Sequence, residues 1–168
     1  MPVTRENADN RLQSTRMEVS AMFKRILVPI DGSTHAMKAA EMAIELARTF
    51  KADLTLLHVA RKFDLPDQLK DYIKAEHLTA HDMLAIDEAT KRVIADIKVS
   101  AESRGIKKIK TIFREGKPAR SIVDYARKAQ VDAIVMGSRG LSEFESALLG
   151  SVSHKVATLA DCTVMIVK

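Results

Sequence analysis

Five short apolar segments alternate with stretches of helical periodicity from residue 23 to the end of the chain, and this alternation constrains the fold most. The first segment, residues 24–30, contains a continuous apolar run, which is typical of a strand buried on both faces. The other four segments are residues 53–59, 106–113, 131–136 and 163–167. Because strands that alternate with helices need crossover connections, the pattern predicts a doubly wound α/β fold, in which helices cover both faces of a five-stranded parallel sheet.

Helix signals fill the intervals between these strands. Ser33 is a predicted N-cap for the first helix, and Gly105 is a predicted left-handed C-cap for a helix over residues 83–104. For that second helix we expect an apolar face formed by Ile86, Ala89, Val93, Ile97 and Ala101. Further helices are predicted to begin at Lys117-Pro118 and to span residues 151–160, and residues 60–82 are interpreted as a helical or looped insert.

Residues 1–22 differ from the rest of the chain because they are mostly polar and have no sustained apolar period. We interpret them as a flexible N-terminal extension, followed by a single domain over residues 23–168. The length of 168 residues suits one compact domain.

Composition excludes several protein classes. Every apolar run is far shorter than the roughly 20 residues that span a bilayer, and the single cysteine, Cys162, cannot build a disulfide framework. With no secretory signal pattern either, we expect a cytoplasmic protein and no membrane partner. The net charge of +5 comes mainly from residues 104–120, where seven basic residues accompany Glu115 alone. Few aromatic residues lie among them, so we interpret this charge as protection of a sheet edge and expect no nucleic-acid partner.

A ligand of an open parallel sheet binds beyond the carboxyl ends of the strands, where the winding direction reverses. If the first strand is central, the reversal lies between the first and fourth strands, which end at Pro29-Ile30-Asp31 and at Gly137-Ser138-Arg139-Gly140. These two loops are therefore expected to converge. Asp31 alone is weak evidence for a site, since a carboxylate at a strand end is as often a turn or capping residue.

A glycine-rich pattern indicates phosphate chemistry. Gly137-Ser138-Arg139-Gly140 is followed, nine residues later, by Gly150-Ser151-Val152-Ser153 at the start of a helix. Glycines let backbone N–H groups approach an anion, and a helix N-terminus adds unpaired N–H groups and a favourable dipole. Ordinary turn glycines with serine capping remain the alternative. The spacing is neither that of a Walker P-loop nor that of the Gly-x-Gly-x-x-Gly dinucleotide fingerprint.

Three sequence features together resemble the universal stress proteins, in their ATP-binding branch. They are the glycine spacing, the Val-Pro-Ile-Asp-Gly-Ser of residues 28–33 and the closing Val-Met-Ile-Val of residues 164–167. The resemblance covers residues 23–168. It implies the strand order 3-2-1-4-5 and an adenine nucleotide at the switch point.

The resemblance also implies a role for individual residues. Asp31 would bind the ribose, the backbone of Val59 would hold adenine, and Gly137 and Gly140 would shape the loop beside ribose and phosphate. Residues 150–153 would hold the phosphates. With the neighbouring loop residues added, the predicted nucleotide-binding set is Pro29, Asp31, Val59, Gly137, Arg139, Gly140, Gly150, Ser151, Val152 and Ser153.

The expected ligand is ATP, or AMP or ADP, and a companion Mg²⁺ is left open. No catalytic residue is predicted. No protein-ligated metal site is predicted either, because the histidine pair His77 and His81 has no third ligand at a matching spacing. Glu143 and Glu145 lie in the loop near the expected phosphates, where two carboxylates would repel a triphosphate unless they face solvent or share a cation. His58 is expected to be a hydrogen-bonded structural histidine.

The leading hypothesis is a regulatory protein of the stress response that binds ATP and changes its binding or association with nucleotide state. The alternative is an enzyme on the same fold, either a nucleotide transferase or adenylating enzyme or a slow ATPase. No evident general base would attack a γ-phosphate, which favours the first hypothesis. The last strand, Thr163 to Val167, is apolar and would lie at a sheet edge, so a homodimer through this strand is expected.

Overall fold

The computed structural model describes residues 22–60, 80–141 and 149–168, and for residues 80–87 it describes the backbone alone. Residues 1–21 of the predicted N-terminal extension over residues 1–22, most of the insert before the second helix, and the loop residues Glu143 and Glu145 lie outside these ranges.

The described residues form five strands and four helices in strict alternation. In chain order they are β1 (Arg25–Pro29), α1 (Thr34–Phe50), β2 (Asp53–Ala60), α2 (Ala80–Ser103), β3 (Ile109–Glu115), α3 (Pro118–Lys128), β4 (Ala133–Gly137), α4 (Ser151–Leu159) and β5 (Thr163–Val167). All neighbouring strands are parallel, and the order across the sheet is β3-β2-β1-β4-β5. The predicted fold class and strand order are therefore confirmed.

The third strand begins later than the sequence predicts, at Ile109 instead of residue 106. Ile106 belongs to the C-terminal cap of α2, where its N–H donates to the carbonyl of Ala101 at 3.1 Å. Gly105 adopts the left-handed φ of +88° that the cap requires, and its N–H donates to the carbonyl of Glu102 at 3.0 Å. The predicted glycine cap is thus confirmed, and it extends one residue into the segment that resembled a strand.

The predicted apolar face of α2 is confirmed at Ile97 and Ala101, which are buried, and at Val93, which packs against the core, but it is wrong at Ala89. Ala89 is exposed, whereas Thr90 and Ile94 are buried together with the predicted Ile97 and Ala101. Both sets have spacings of three and four residues, so the periodicity fits either face. The polar Thr90 interrupted the apolar pattern on the face that packs.

Strand β1 lies at the centre of two hydrophobic layers. Ile26 and Val28 pack into the layer under α1 and α2, while Leu27 packs into the layer under α3 and α4. All three are at most 1% exposed. A strand that is buried on both faces has no polar alternation, which explains the continuous apolar run in the sequence.

The two central strands are clamped at their start. The carboxylate Oδ2 of Asp132 accepts the N–H groups of Lys24 and Arg25 at 2.9 and 2.7 Å, and the N–H of Asp132 donates to the carbonyl of Arg25 at 3.0 Å. Residue pairing between β1 and β4 then covers Ile26 and Leu27 alone, whereas β1 pairs with β2 along its whole length. The clamp therefore lies at the opposite end of the β1–β4 pair from the carboxyl ends, where the chain reverses its winding direction.

None of the helices among the described residues has both the length and the apolar character that crossing a membrane requires.

Replacing Asp132 by Ala should lower the free energy of unfolding by about 1.5–3 kcal/mol, because two backbone N–H groups lose a charged acceptor. Asp161→Ala is the matched control, since it removes a surface carboxylate that pairs with Arg127 at 2.8 Å and is 68% exposed. Its expected cost is at most about 1 kcal/mol. Urea denaturation measures both, and equal costs would contradict the clamp.

Candidate functional site

Asp31 closes a tight turn between β1 and α1. Its Oδ1 accepts the N–H of Ser33 at 3.0 Å, and the Oγ of Ser33 accepts the N–H of Ala36 at 3.1 Å. Ser33 is thereby the N-cap of α1, as predicted. Gly32 has the left-handed φ of +85° that the turn requires. The turn fixes one carboxylate oxygen of Asp31 by a backbone hydrogen bond within the turn.

The loop after β4 comes into direct contact with this turn. A Cβ atom placed on Gly140 would lie 2.7 Å from Oδ2 of Asp31, and Oγ of Ser33 lies 3.4 Å from the carbonyl oxygen of Arg139. Asp31, Arg139 and Gly140 are therefore brought together, as the argument from strand ends predicts. A side chain at residue 140 would force the Asp31 carboxylate, the far end of its side chain, to shift from this position.

Gly137 serves helix packing. A Cβ atom at this position would lie 2.7 Å from the carbonyl carbon of His35 and 2.9 Å from the nitrogen of Ala36. These are backbone atoms of the first turn of α1, so they cannot rotate away. The missing side chain lets the N-terminus of α1 rest directly on the end of β4.

The N-terminus of α4 has the geometry of an anion site. Gly150 is the N-cap and offers no side-chain acceptor, and the first intrahelical bond runs from the N–H of His154 to the carbonyl of Gly150 at 2.9 Å. The backbone N–H groups of Val152 and Ser153 precede that bond, in the turn where a helix leaves its donors without intrahelical partners. Such donors and the helix dipole favour a negatively charged group.

The side chain of Ser153 forms hydrogen bonds within the protein. It is 2% exposed, and its Oγ lies 2.8 Å from the carbonyl oxygen of Ser138 and 3.0 Å from that of Gly150. A hydroxyl has one proton to donate, and here that proton is directed at carbonyl groups of the protein. What Ser153 offers an anion in this arrangement is its backbone N–H, while its hydroxyl joins α4 to the β4 loop.

The remaining predicted residues lie along the same edge of the sheet. Pro29 ends β1, and Val59 lies near the end of β2, paired in register with Arg114; both Pro29 and Val59 are partly buried. Next to Val59, His58 is 6% exposed and its Nδ1 lies 2.8 Å from the carbonyl oxygen of Ile30. This contact confirms His58 as a hydrogen-bonded structural histidine.

The sequence prediction missed the buried Thr90 near the site, and it named Ser138 within the glycine pattern without giving it a role of its own. Oγ1 of Thr90 lies 3.2 Å from the place of a Cβ atom on Gly32, so α2 also contacts the Asp31 turn. Ser138, 1% exposed, connects β4 to the glycine loop. The signal for Thr90 was its spacing of four and seven residues from Ile94 and Ile97, which its polarity concealed.

We searched the described residues for a metal-binding cluster and for a reactive thiol. They contain no group of three or more His, Cys, Asp or Glu side chains that could hold a metal ion. Burial raises the pKa of the Cys162 thiol, and the negative charge of Asp161 adds to the effect. The thiol is therefore protonated at neutral pH and is a poor nucleophile.

Comparisons with known proteins agree on one family. The profile of the universal stress protein family matches residues 22–168. The chain is 36% identical over 149 residues to universal stress protein YxiE of Bacillus subtilis, covering 88% of this chain and 100% of the relative.

Solved structures agree with this result. Universal stress protein UspA from Lactobacillus plantarum superposes with a TM-score of 0.75 at 26% identity, covering 87% of this chain and 98% of that one. A universal stress protein solved in complex with cAMP superposes with a TM-score of 0.64 at 25% identity, covering 88% and 98%.

The contact between Gly140 and Asp31 predicts a coupled response to mutation. Gly140→Ala should cost about 1–2 kcal/mol of unfolding free energy, because the new methyl group displaces the carboxylate from the Ser33 N–H. In an Asp31→Ala background the cost should fall below about 0.5 kcal/mol, and a double-mutant cycle in urea measures the difference.

Gly105→Ala is the control for that cycle, because its φ is +88° and no atom lies within 4 Å of the added Cβ. Backbone strain alone should cost about 1 kcal/mol there, in both backgrounds. A Gly140→Ala cost that does not depend on Asp31 would refute the contact.

Proposed function

The chain belongs to the universal stress protein family, and we propose that it binds an adenine nucleotide between the carboxyl ends of β1 and β4. The observation that carries the proposal is the meeting of Asp31 with the Gly140 loop, which itself joins the N-terminus of α4, where the N-cap Gly150 makes no side-chain cap hydrogen bond. A carboxylate acceptor beside backbone N–H donors suits a ligand that carries both hydroxyl and phosphate groups. The cAMP complex of a family relative supports the choice of an adenine nucleotide.

Each part of the ligand has a matching group in this pose. Oδ2 of Asp31, the oxygen not engaged by Ser33, would accept a ribose hydroxyl. The backbone N–H groups at the start of α4 would donate to phosphate oxygens, and the guanidinium of Arg139 would add positive charge from the loop. The backbone of Val59, one strand further along the edge, would hold adenine. ATP is the proposed ligand, and the binding experiment below compares it with AMP and ADP, with and without Mg²⁺.

We propose binding rather than turnover as the activity. In this pose both oxygens of Asp31 are engaged, by Ser33 and by ribose, and the Cys162 thiol is protonated. Neither group is therefore available to activate a nucleophile for attack on a phosphate. The protein would act through states that differ in bound nucleotide, in the manner of a regulator of the stress response.

We further propose a homodimer through the β5 edge. The apolar residues of β5 are only partly buried, and two exposed side chains flank the strand. Leu159, 55% exposed, ends α4 just before β5. Met42, 45% exposed, lies one helical turn beyond Lys38, whose Nζ is 3.5 Å from the carbonyl oxygen of Lys168. A two-fold partner would cover these residues and pair the free edge of the strand.

Nucleotide binding is measured by calorimetry with ATP, ADP, AMP and cAMP, each with and without Mg²⁺. Gly140→Ala should weaken binding by about tenfold or more, since loss of one charge-assisted hydrogen bond is worth about 1.5–3 kcal/mol. Gly105→Ala, remote from the carboxyl edge, should bind within about twofold of the wild type. Undiminished affinity in Gly140→Ala, or no binding by the wild type, would overturn the proposed site.

Turnover is measured on the same samples, by recovering the nucleotide and assaying phosphate and pyrophosphate. The expected result is intact nucleotide. Release of pyrophosphate with a panel of acceptors would instead identify a transferase or adenylating enzyme, and steady release of phosphate would identify an ATPase.

The dimer is tested with substitutions that leave the core intact. Met42→Lys combined with Leu159→Lys should yield monomers in sedimentation velocity, because charge replaces the exposed apolar flanks of β5. Val99→Lys is the control, since Val99 is 64% exposed on α2, which packs against the β2 and β3 side of the sheet. A double variant that sediments like the wild type would refute this interface.

A further inference from the structure

Ser138 makes hydrogen bonds in two directions through its backbone. Its N–H donates to the carbonyl of Val167 at 2.7 Å, as the last bond between β4 and β5. Its carbonyl accepts the N–H of Gly150 at 2.7 Å and faces the hydroxyl of Ser153 at 2.8 Å. One buried residue therefore connects the edge strand to the N-terminus of α4.

The hydrogen bonds that Ser138 makes to Val167, Gly150 and Ser153 are short, and both serines are buried. Ser138 and Ser153 are 1% and 2% exposed, so water does not compete for their hydrogen bonds. Ser138 follows Gly137, which pairs in register with Val167 and cannot move without disturbing the first turn of α1. The N-terminus of α4 and the carboxyl end of β5 are thus joined by hydrogen bonds to one residue.

We propose that Ser138 couples nucleotide binding to dimerisation through β5, with the Ser153 hydroxyl as the positioning group that holds α4 to the loop. The proposal rests on the proposed function, since it takes the nucleotide phosphates to lie at the α4 N-terminus. It names the residues through which the coupling would pass and predicts whether the nucleotide strengthens or weakens the dimer. Phosphate held by the backbone N–H groups of Val152 and Ser153 orders that turn, and the order extends through Ser138 to Val167.

The expected direction is positive coupling. An edge strand whose end is already ordered loses less conformational entropy when it pairs with a second copy. ATP should therefore tighten the dimer. By linkage, the dimer should bind ATP more tightly than the monomer by the same factor.

The first experiment measures the dimer dissociation constant of the full chain by sedimentation equilibrium, with and without saturating ATP. Saturation is established beforehand by calorimetry. We expect ATP to lower the constant by about fivefold or more, the lower end of typical allosteric coupling. In the reciprocal measurement, Met42→Lys with Leu159→Lys should bind ATP more weakly than the wild-type dimer by that factor.

Three variants test the route. Ser153→Ala removes the hydroxyl bond to Ser138 and should bring the ATP effect on dimerisation close to onefold at saturating ATP. Ser153→Thr keeps a hydroxyl and should restore the wild-type effect. Thr158→Ala is the matched control, because it deletes a hydroxyl bond of the same helix, from Oγ1 to the His154 carbonyl at 2.9 Å, that does not reach Ser138. It should keep the wild-type effect.

Amide hydrogen exchange on the wild type gives an answer even if Ser153→Ala fails to fold. The Ser138 N–H reports its bond to Val167 directly, and its exchange should slow by about fivefold or more when ATP is added. The amide of Lys51, at the end of α1, should not change.

The outcomes separate the two proposals. If ATP binds but leaves the dimer constant and the Ser138 amide unchanged, or if the protein is monomeric with and without ATP, the coupling is overturned and nucleotide binding stands. If calorimetry shows no binding of any adenine nucleotide, the proposed function itself is overturned. A Thr158→Ala variant that loses the effect as Ser153→Ala does would also refute the route through Ser138.

Discussion

Missing side chains at Gly137 and Gly140 are the constraint on which the carboxyl edge of this sheet depends. At Gly137 the backbone of α1 occupies the place of a Cβ atom, and at Gly140 the carboxylate of Asp31 does so. The first contact seats α1 on β4, and the second brings the loop against the turn after β1. At Gly137 the obstructing atoms include backbone atoms, so the seat of α1 on β4 requires glycine, whereas at Gly140 a side chain would force the Asp31 carboxylate to shift.

The candidate site consists mainly of backbone groups. Two serine side chains hold the backbone of the β4 loop in place. The hydroxyl of Ser33 contacts the carbonyl of Arg139, and the hydroxyl of Ser153 contacts the carbonyl of Ser138. Ser33 and Ser153 both use their hydroxyls in this way, one as the cap of α1 and one as the tie between α4 and the loop. Serines in a glycine-rich motif therefore need not contact a ligand in order to shape its site.

The sequence was sufficient where a signal is local and strong. The apolar run of β1, the Ser33 cap and the Gly105 cap each depend on neighbours within a few residues, and all three are confirmed. It failed where two local solutions fit equally well. Residue 106 could begin a strand or complete a cap, and the apolar face of α2 could include Ala89 or Thr90. The hydrogen bond from Ile106 to Ala101 places residue 106 in the cap, and packing of α2 against the core, which involves residues far along the chain, decided between Ala89 and Thr90.

By itself the sequence determined the alternation of elements, the doubly wound class, and the expectation that the loops after β1 and β4 meet, because apolar periodicity and parallel topology dictate them. The resemblance in its glycine spacing supplied the strand order, which is confirmed, and the ligand that we propose. Only the tertiary structure decided that Asp132 clamps the start of β1, that Thr90 contacts the Asp31 turn, and that Ser138 joins Val167 to α4. Each of these contacts spans many residues of sequence, and the clamp joins residues 107 apart. No local pattern encodes such a pair, because its energy exists only once the sheet has brought the partners together.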